Sequence, residues 1–171
     1  MSTSSRTIRW IEDLAEQEIL ISNGQRTSID LGKTKDHVLG VETASYVRDL
    51  FYFFDYLTRL FNERVQQTNL QIRLTRMSEK LEGFHLVRNG MTLVLDSSSP
   101  GVIQFRCEKQ VGVDGMGMGP SRKSVMFSGV VEAAFGAFDD VEWQFLGSRI
   151  TAEQLARHYL TEFIQVSRTS N

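Results

Sequence analysis

At 171 residues, 41% of them hydrophobic and 23% charged, the chain is long enough to bury one substantial core and too apolar to stay disordered. A formal charge of -2 supplies no global field toward nucleic acid or an anionic membrane. The longest apolar runs fall far short of the roughly 20 residues that cross a bilayer, and the single cysteine, Cys107, excludes an internal disulfide or a multi-cysteine zinc site within one chain.

The polar start "MSTSSRT" lacks the apolar core of a signal peptide, so a cytoplasmic location is expected. "RTIRWIEDLAEQEILIS" then spaces Ile8, Ile11, Leu14, Ala15 and Ile19 by three and four residues, which predicts an amphipathic helix stopped at Asn23 and Gly24. Residues 23–42 are rich in glycine and polar side chains and hold no period, so a loop is expected there, with one short strand around Thr27 to Leu31. This divides the chain into a helix-and-loop arm over 1–42 and an α+β domain over 43–171, together one folded unit.

From Ala44 to Gln67 a helix is predicted, with Val47, Leu50, Phe54, Leu57 and Phe61 as its stripe. Seven aromatics lie between Tyr46 and Phe61, and Phe51 and Tyr52 are assigned to the side away from that stripe. A helix apolar nearly all round is buried on two sides. Its back is covered by the N-terminal helix, by a second copy or partner helix, or it walls a pocket for an apolar ligand.

After Leu70 the period becomes two. "LQIRLTR", "GFHLVR" and "MTLVLD" about the Asn89-Gly90 turn, "VIQFRCEKQ", "KSVMFSGVVEAAF" and "VEWQFLG" read as strands joined by short connections. Cys107 is in phase with Ile103 and Phe105 and is expected as an inert core thiol, whereas His85 should face outward. Arg73, Arg76, Arg88, Arg106, Arg122 and Lys123 are the basic residues of this half. Arg73 and Arg106 can share a wet face, balanced by Glu79, Glu82 and Glu108, but no stacking aromatics accompany them and nucleic-acid binding is not expected. Thr151 and Gln154 have capping-box spacing ahead of a last helix with Leu155, Ala156, Tyr159, Leu160 and Phe163 on one face. The fold expected is α+β: an antiparallel sheet of five or six strands, with helices before and after it packed mainly on one face. This element order is loosely similar to that of small acidic secretion chaperones and other partner-binding folds.

Two glycine motifs invite a phosphate reading, and both fail on spacing. "LGKT" has Thr27 where a phosphate loop needs its first glycine, and "GVDGMGMGPSRKS" lacks G-x-G-x-x-G and is followed by a strand rather than a helix. The second motif is expected as a hairpin connection. Met116 and Met118 are soft side chains suited to an adaptable surface, with Arg122 and Lys123 beside them for an acidic partner. Adjacent Asp139 and Asp140 read as a solvated turn, near Glu132 and Glu142. Neither H-E-x-x-H nor G-x-S-x-G occurs, and no catalytic, cofactor-binding or metal-ligating residue is assigned.

The sequence thus points to a non-catalytic protein-binding or assembly module. It would act through Phe51 and Tyr52 of the aromatic helix and Met116, Met118, Arg122 and Lys123 of the Gly-Met loop. Its partner would be a protein or a second copy, with neither nucleic acid nor membrane involved. The alternative is a small-molecule-binding domain or small enzyme, with a pocket between helix and sheet, gated by the glycine loop and using His85 or an arginine to orient the ligand.

Overall fold

The computed structural model describes residues 3–24, 30–79, 82–111, 122–137 and 140–169. The chain divides into two compact units, Met1–Val38 and Leu39–Asn171. In the first, α1 (Thr3–Ser22) ends where expected: the Asn23 and Gly24 amides donate to Ile19 and Ile21, and Gly24 takes the left-handed φ of 66° that a residue without Cβ adopts freely.

The second helix is longer than its apolar stripe foretold. α2 runs from Asp30 to Val65, so residues 30–42 are helix rather than loop, and no strand forms at Asp30 and Leu31; positions 25–29 lie outside the described residues. The reason is cooperativity. Nucleating a helix is costly, but extending one already anchored adds a hydrogen bond per residue, and that outweighs the ~1 kcal/mol that each of Gly32 and Gly40 costs relative to alanine. At the end of α2 the Asn62 amide bonds both the N–H and the C=O of Ile72, at 2.9 Å each, steering the chain into the sheet.

The sheet is an antiparallel meander in chain order: β1 (Arg73–Arg76), β2 (Gly83–Arg88), β3 (Met91–Ser99), β4 (Val102–Val111), β5 (Arg122–Phe135), β6 (Val141–Phe145) and β7 (Ser148–Arg149). Seven strands stand where five or six were expected. The extra one arises because Leu146 and Gly147 both take positive φ, 51° and 75°, and fold Ser148 and Arg149 back onto β6. Asn89 and Gly90, at 49° and 72°, make the same kind of turn where the sequence announced it.

Alternation along the strands gives the sheet one dry face. Phe84 and Leu86, Leu93 and Leu95, Ile103, Phe105 and Cys107, and Val131 point into it. Val47, Leu50, Phe51 and Phe54 of α2 share this core with Leu155, Ala156, Tyr159 and Phe163 of α3 (Ala152–Val166). Phe51 and Phe54 meet Phe84 edge to face at 5.5 and 5.3 Å, Tyr46 stacks on Trp143 at 4.3 Å, and Tyr159 stacks on Phe105 at 3.9 Å. Each such large side chain contributes about 1.5–3 kcal/mol by leaving water. Thr151 and Gln154 form the expected capping box at the start of α3.

One of the basic residues of the sheet lies in the core. Arg88 is in phase with Phe84 and Leu86 and is buried. Its guanidinium donates to the carbonyls of Leu70 (2.8 Å) and Ile164 (3.1 Å) and to the Ser167 hydroxyl (2.6 Å), over the Phe61 ring. The negative end of the α3 dipole thereby stands in for a carboxylate.

Candidate functional site

The aromatic helix exposes a narrower surface than expected, shifted by one position. Phe51 is 8% exposed, because a residue four after Val47 and three before Phe54 shares their face; it belongs to the core, with the Arg76 guanidinium 4.6 Å from its ring centroid. Tyr52 does face solvent. With Tyr56 and Leu60 it makes a stripe at i, i+4 and i+8, exposed by 59%, 61% and 41%, and Val41 continues it three turns earlier. The Asp55–Arg59 ion pair lies along this stripe. Following the i+4 spacing from Tyr52, rather than pairing it with its neighbour, identifies Tyr56 and Leu60 in the sequence.

Only part of the expected Gly-Met surface falls among the described residues. Met116 and Met118 lie outside the described residues, and Arg122 and Lys123 already belong to β5. The Lys123 ammonium is 3.0 Å from the Glu108 carboxylate, which also takes Arg106 at 2.7 Å, so this lysine is engaged within the sheet. Arg73 and Arg106 share the wet face but belong to separate rows: Arg73 aligns with Val87, Thr92 and Glu108, and Arg106 with Val94, His85 and Thr75. Among the described residues, β5 is only partly flanked. β4 pairs along it from Arg122 to Glu132, while β6 pairs only from Val131 to Phe135, so its edge from Arg122 to Val130 meets no strand. Val125, Met126 and Val130 are exposed there. Of the two adjacent aspartates, Asp139 lies outside the described residues.

A cleft of about 450 Å³ opens between α2 and the turn from β3 to β4, lined by Gly40, Thr43 and Val47 on one side and Ser97, Ser98 and Ser99 on the other, with Glu82 beside them. The buried Thr43 hydroxyl donates to the Leu39 carbonyl at 2.6 Å and accepts the Gly101 amide at 2.7 Å, which pins the helix to the turn. The serine hydroxyls and the Glu82 carboxylate are what a polar ligand would meet. Neither a histidine nor an arginine lines this cleft, and His85 points from the other face of the sheet, so the expected orienting group is not found in this cleft.

Burial displaces the acidity of two groups whose chemistry could otherwise matter. Burial, reinforced by Glu108, pushes the Cys107 thiol up to about 11, which leaves it protonated and unreactive at neutral pH. Burial alone pushes Tyr159 up to about 12, and its hydroxyl has no hydrogen-bond partner among the described residues. No group of three His, Cys, Asp or Glu side chains among the described residues is placed to hold a metal ion, and no described helix is long and apolar enough to cross a membrane. Comparison with protein-family models, with curated proteins and with solved structures finds no match.

Proposed function

We propose that this protein is a non-catalytic protein-binding module that docks a partner helix along the outer face of α2. The observation that carries the reading is the Tyr52, Tyr56 and Leu60 stripe, a solvent-facing ridge on a helix whose opposite face is committed to the core. Rings with a polar tip tolerate solvent when free and supply large contact areas when covered, which is why tyrosine is enriched among the residues that dominate interfaces. The i, i+4, i+8 spacing matches the ridge that a second helix packs against. Native mass spectrometry of the protein recovered gently from its host is the test, run beside Tyr52→Glu/Tyr56→Glu. A stoichiometric protein partner is expected with the native chain and not with the doubly substituted one, whose melting temperature should stay unchanged because both positions are exposed. Retention of the partner by that variant would refute the α2 surface.

A second reading rests on the cleft. Its volume suits a small molecule, and its hydroxyls and single carboxylate suit a polar, uncharged or cationic one. A metabolite screen by thermal shift checks it. A ligand at 100 times its dissociation constant should add about 2.7 kcal/mol to the native state, and Ser98→Val together with Glu82→Gln should abolish that shift.

A further inference from the structure

We infer that the cleft beside Thr43 receives a primary ammonium group, the charged head of an amine, between the Glu82 carboxylate and the Ser97 hydroxyl. The inference rests on the reading of the cleft as a small-molecule site and names the class of ligand. It starts from a break in the apolar phase of the sheet. Glu82 continues the phase of Phe84 and Leu86, and Ser97 that of Leu93 and Leu95, so both side chains belong to the face that is dry further along. The Ser97 amide donates to the Glu82 carbonyl at 3.0 Å, Ser97 aligns with Ile103, and Ile103 aligns with Val131. One row across the sheet therefore reads Glu82, Ser97, Ile103, Val131, buried and apolar at one end and polar at the end where the cleft opens.

The helix leaves room in front of that polar end. Gly40, Thr43 and Ala44 are small where α2 lines the cleft, and a Cβ at Gly40 would meet nothing within 4 Å. The acidic residue is held by its backbone: the Glu82 amide donates to the Ser78 hydroxyl at 3.4 Å while its carbonyl takes the Ser97 amide. Opposed cross-strand residues set their Cβ atoms about 4.5–5.5 Å apart, so one small group can touch both side chains. Charge and hydrogen-bonding capacity then select the class. Among the described residues the lining carries one carboxylate and no lysine, arginine or histidine, so an anion finds no counter-charge there. No aromatic ring lines it either, which removes the cage that a quaternary ammonium uses. A primary ammonium, like that of lysine, has three N–H donors and no acceptor. The cleft supplies acceptors, the Glu82 carboxylate and the serine hydroxyls, and the bond to the carboxylate is of the stronger, charge-assisted kind. Ala44, Val47 and Pro100 give the hydrocarbon part of the amine an apolar wall.

The test titrates the full chain with propylamine at constant ionic strength and follows the backbone amides by nuclear magnetic resonance. The amides of Gly40, Thr43, Ser97, Ser98, Ser99 and Gly101 should move together and saturate, with a dissociation constant on the order of 1 mM or tighter for a ligand of this size. Butyrate and trimethylpropylammonium should bind at least tenfold more weakly. Glu82→Gln should weaken propylamine at least tenfold with melting unchanged, since Glu82 is exposed, and Ala44→Leu should block the cleft while leaving the carboxylate in place. Nα-acetyllysine amide carries the same head on a peptide and separates the two sources of such a group. Binding tighter than propylamine assigns the site to a lysine side chain of another protein, and weaker binding assigns it to a free amine. Retention of full affinity by Glu82→Gln would overturn the inference, as would a response to propylamine that Ala44→Leu leaves intact. If glycerol or butanol moves these amides and propylamine does not, the ammonium is wrong and the cleft remains a small-molecule site. If none of the probes moves them, both readings fall.

Discussion

Gly129 carries no side chain because the Tyr159 hydroxyl occupies the space a Cβ would need, with Phe145 beside it. That hydroxyl has little freedom to withdraw. Its ring lies parallel to Phe105, within 3°, and Phe127 and Phe145 stand around it. Gly129→Ala should therefore cost about 1–3 kcal/mol by overpacking. Tyr159→Phe should cost little or stabilise, since the group removed is buried and unpaired. In urea unfolding the double variant should recover most of the loss, a coupling that a double-mutant cycle measures directly. The same hydroxyl sets a pH dependence. Burial weakens it as an acid, pushing its pKa from 10.0 in the unfolded chain to about 12 in the native one, so above the lower value the native state holds the proton that the unfolded state releases. Its contribution to stability is complete below pH 10 and is lost as pH rises toward about 12. The stability of Tyr159→Phe should accordingly fall less steeply across that interval. At this scale the sequence revealed phase but not partners. Cys107 sits in the core as its alternation required, and the same alternation turns Arg88 inward with Phe84 and Leu86, whereas the groups that satisfy its buried charge, Ile164 and Ser167, lie more than seventy residues away.

The elements divide according to whether their signal is local. The Asn89-Gly90 turn, the stop of α1 and the capping box of α3 were all legible, because each depends on residues within one turn of one another. The turn between β6 and β7 was not, because leucine is a poor residue for the left-handed region and "VEWQFLG" reads as a continuing strand. Leu146 adopts that conformation while 88% exposed, so it pays for the turn without burying anything in return. Leu146→Asn is predicted to stabilise the protein by about 0.5–1 kcal/mol, since asparagine tolerates positive φ and precedes a glycine that already fits. Thermal unfolding checks it, and a loss of stability would mean that the leucine makes a contact the turn needs. The N-terminal half of α2 escaped detection for a related reason: its helicity is inherited from the anchored half rather than encoded in its own period.

For the whole molecule, the buried core among the described residues falls entirely between Tyr46 and Phe163, inside the unit Leu39–Asn171. We therefore expect a chain beginning at Leu39 to fold unaided, with a melting temperature within a few degrees of the full protein's; cooperative unfolding by calorimetry is the measurement, and loss of a single sharp transition would show that residues 1–38 are needed. The α+β class and the meander order followed from the sequence alone, because period two joined by short turns permits only antiparallel neighbours and an apolar helix stripe must be buried against something. What tertiary structure alone decided was which surfaces remain uncovered. Phe51 or Tyr52 as the outward residue, the cleft beside Thr43, and the β5 edge that outruns β6 are each set by where one element ends against another, and strand lengths and helix rotation become definite only when the packed core selects them.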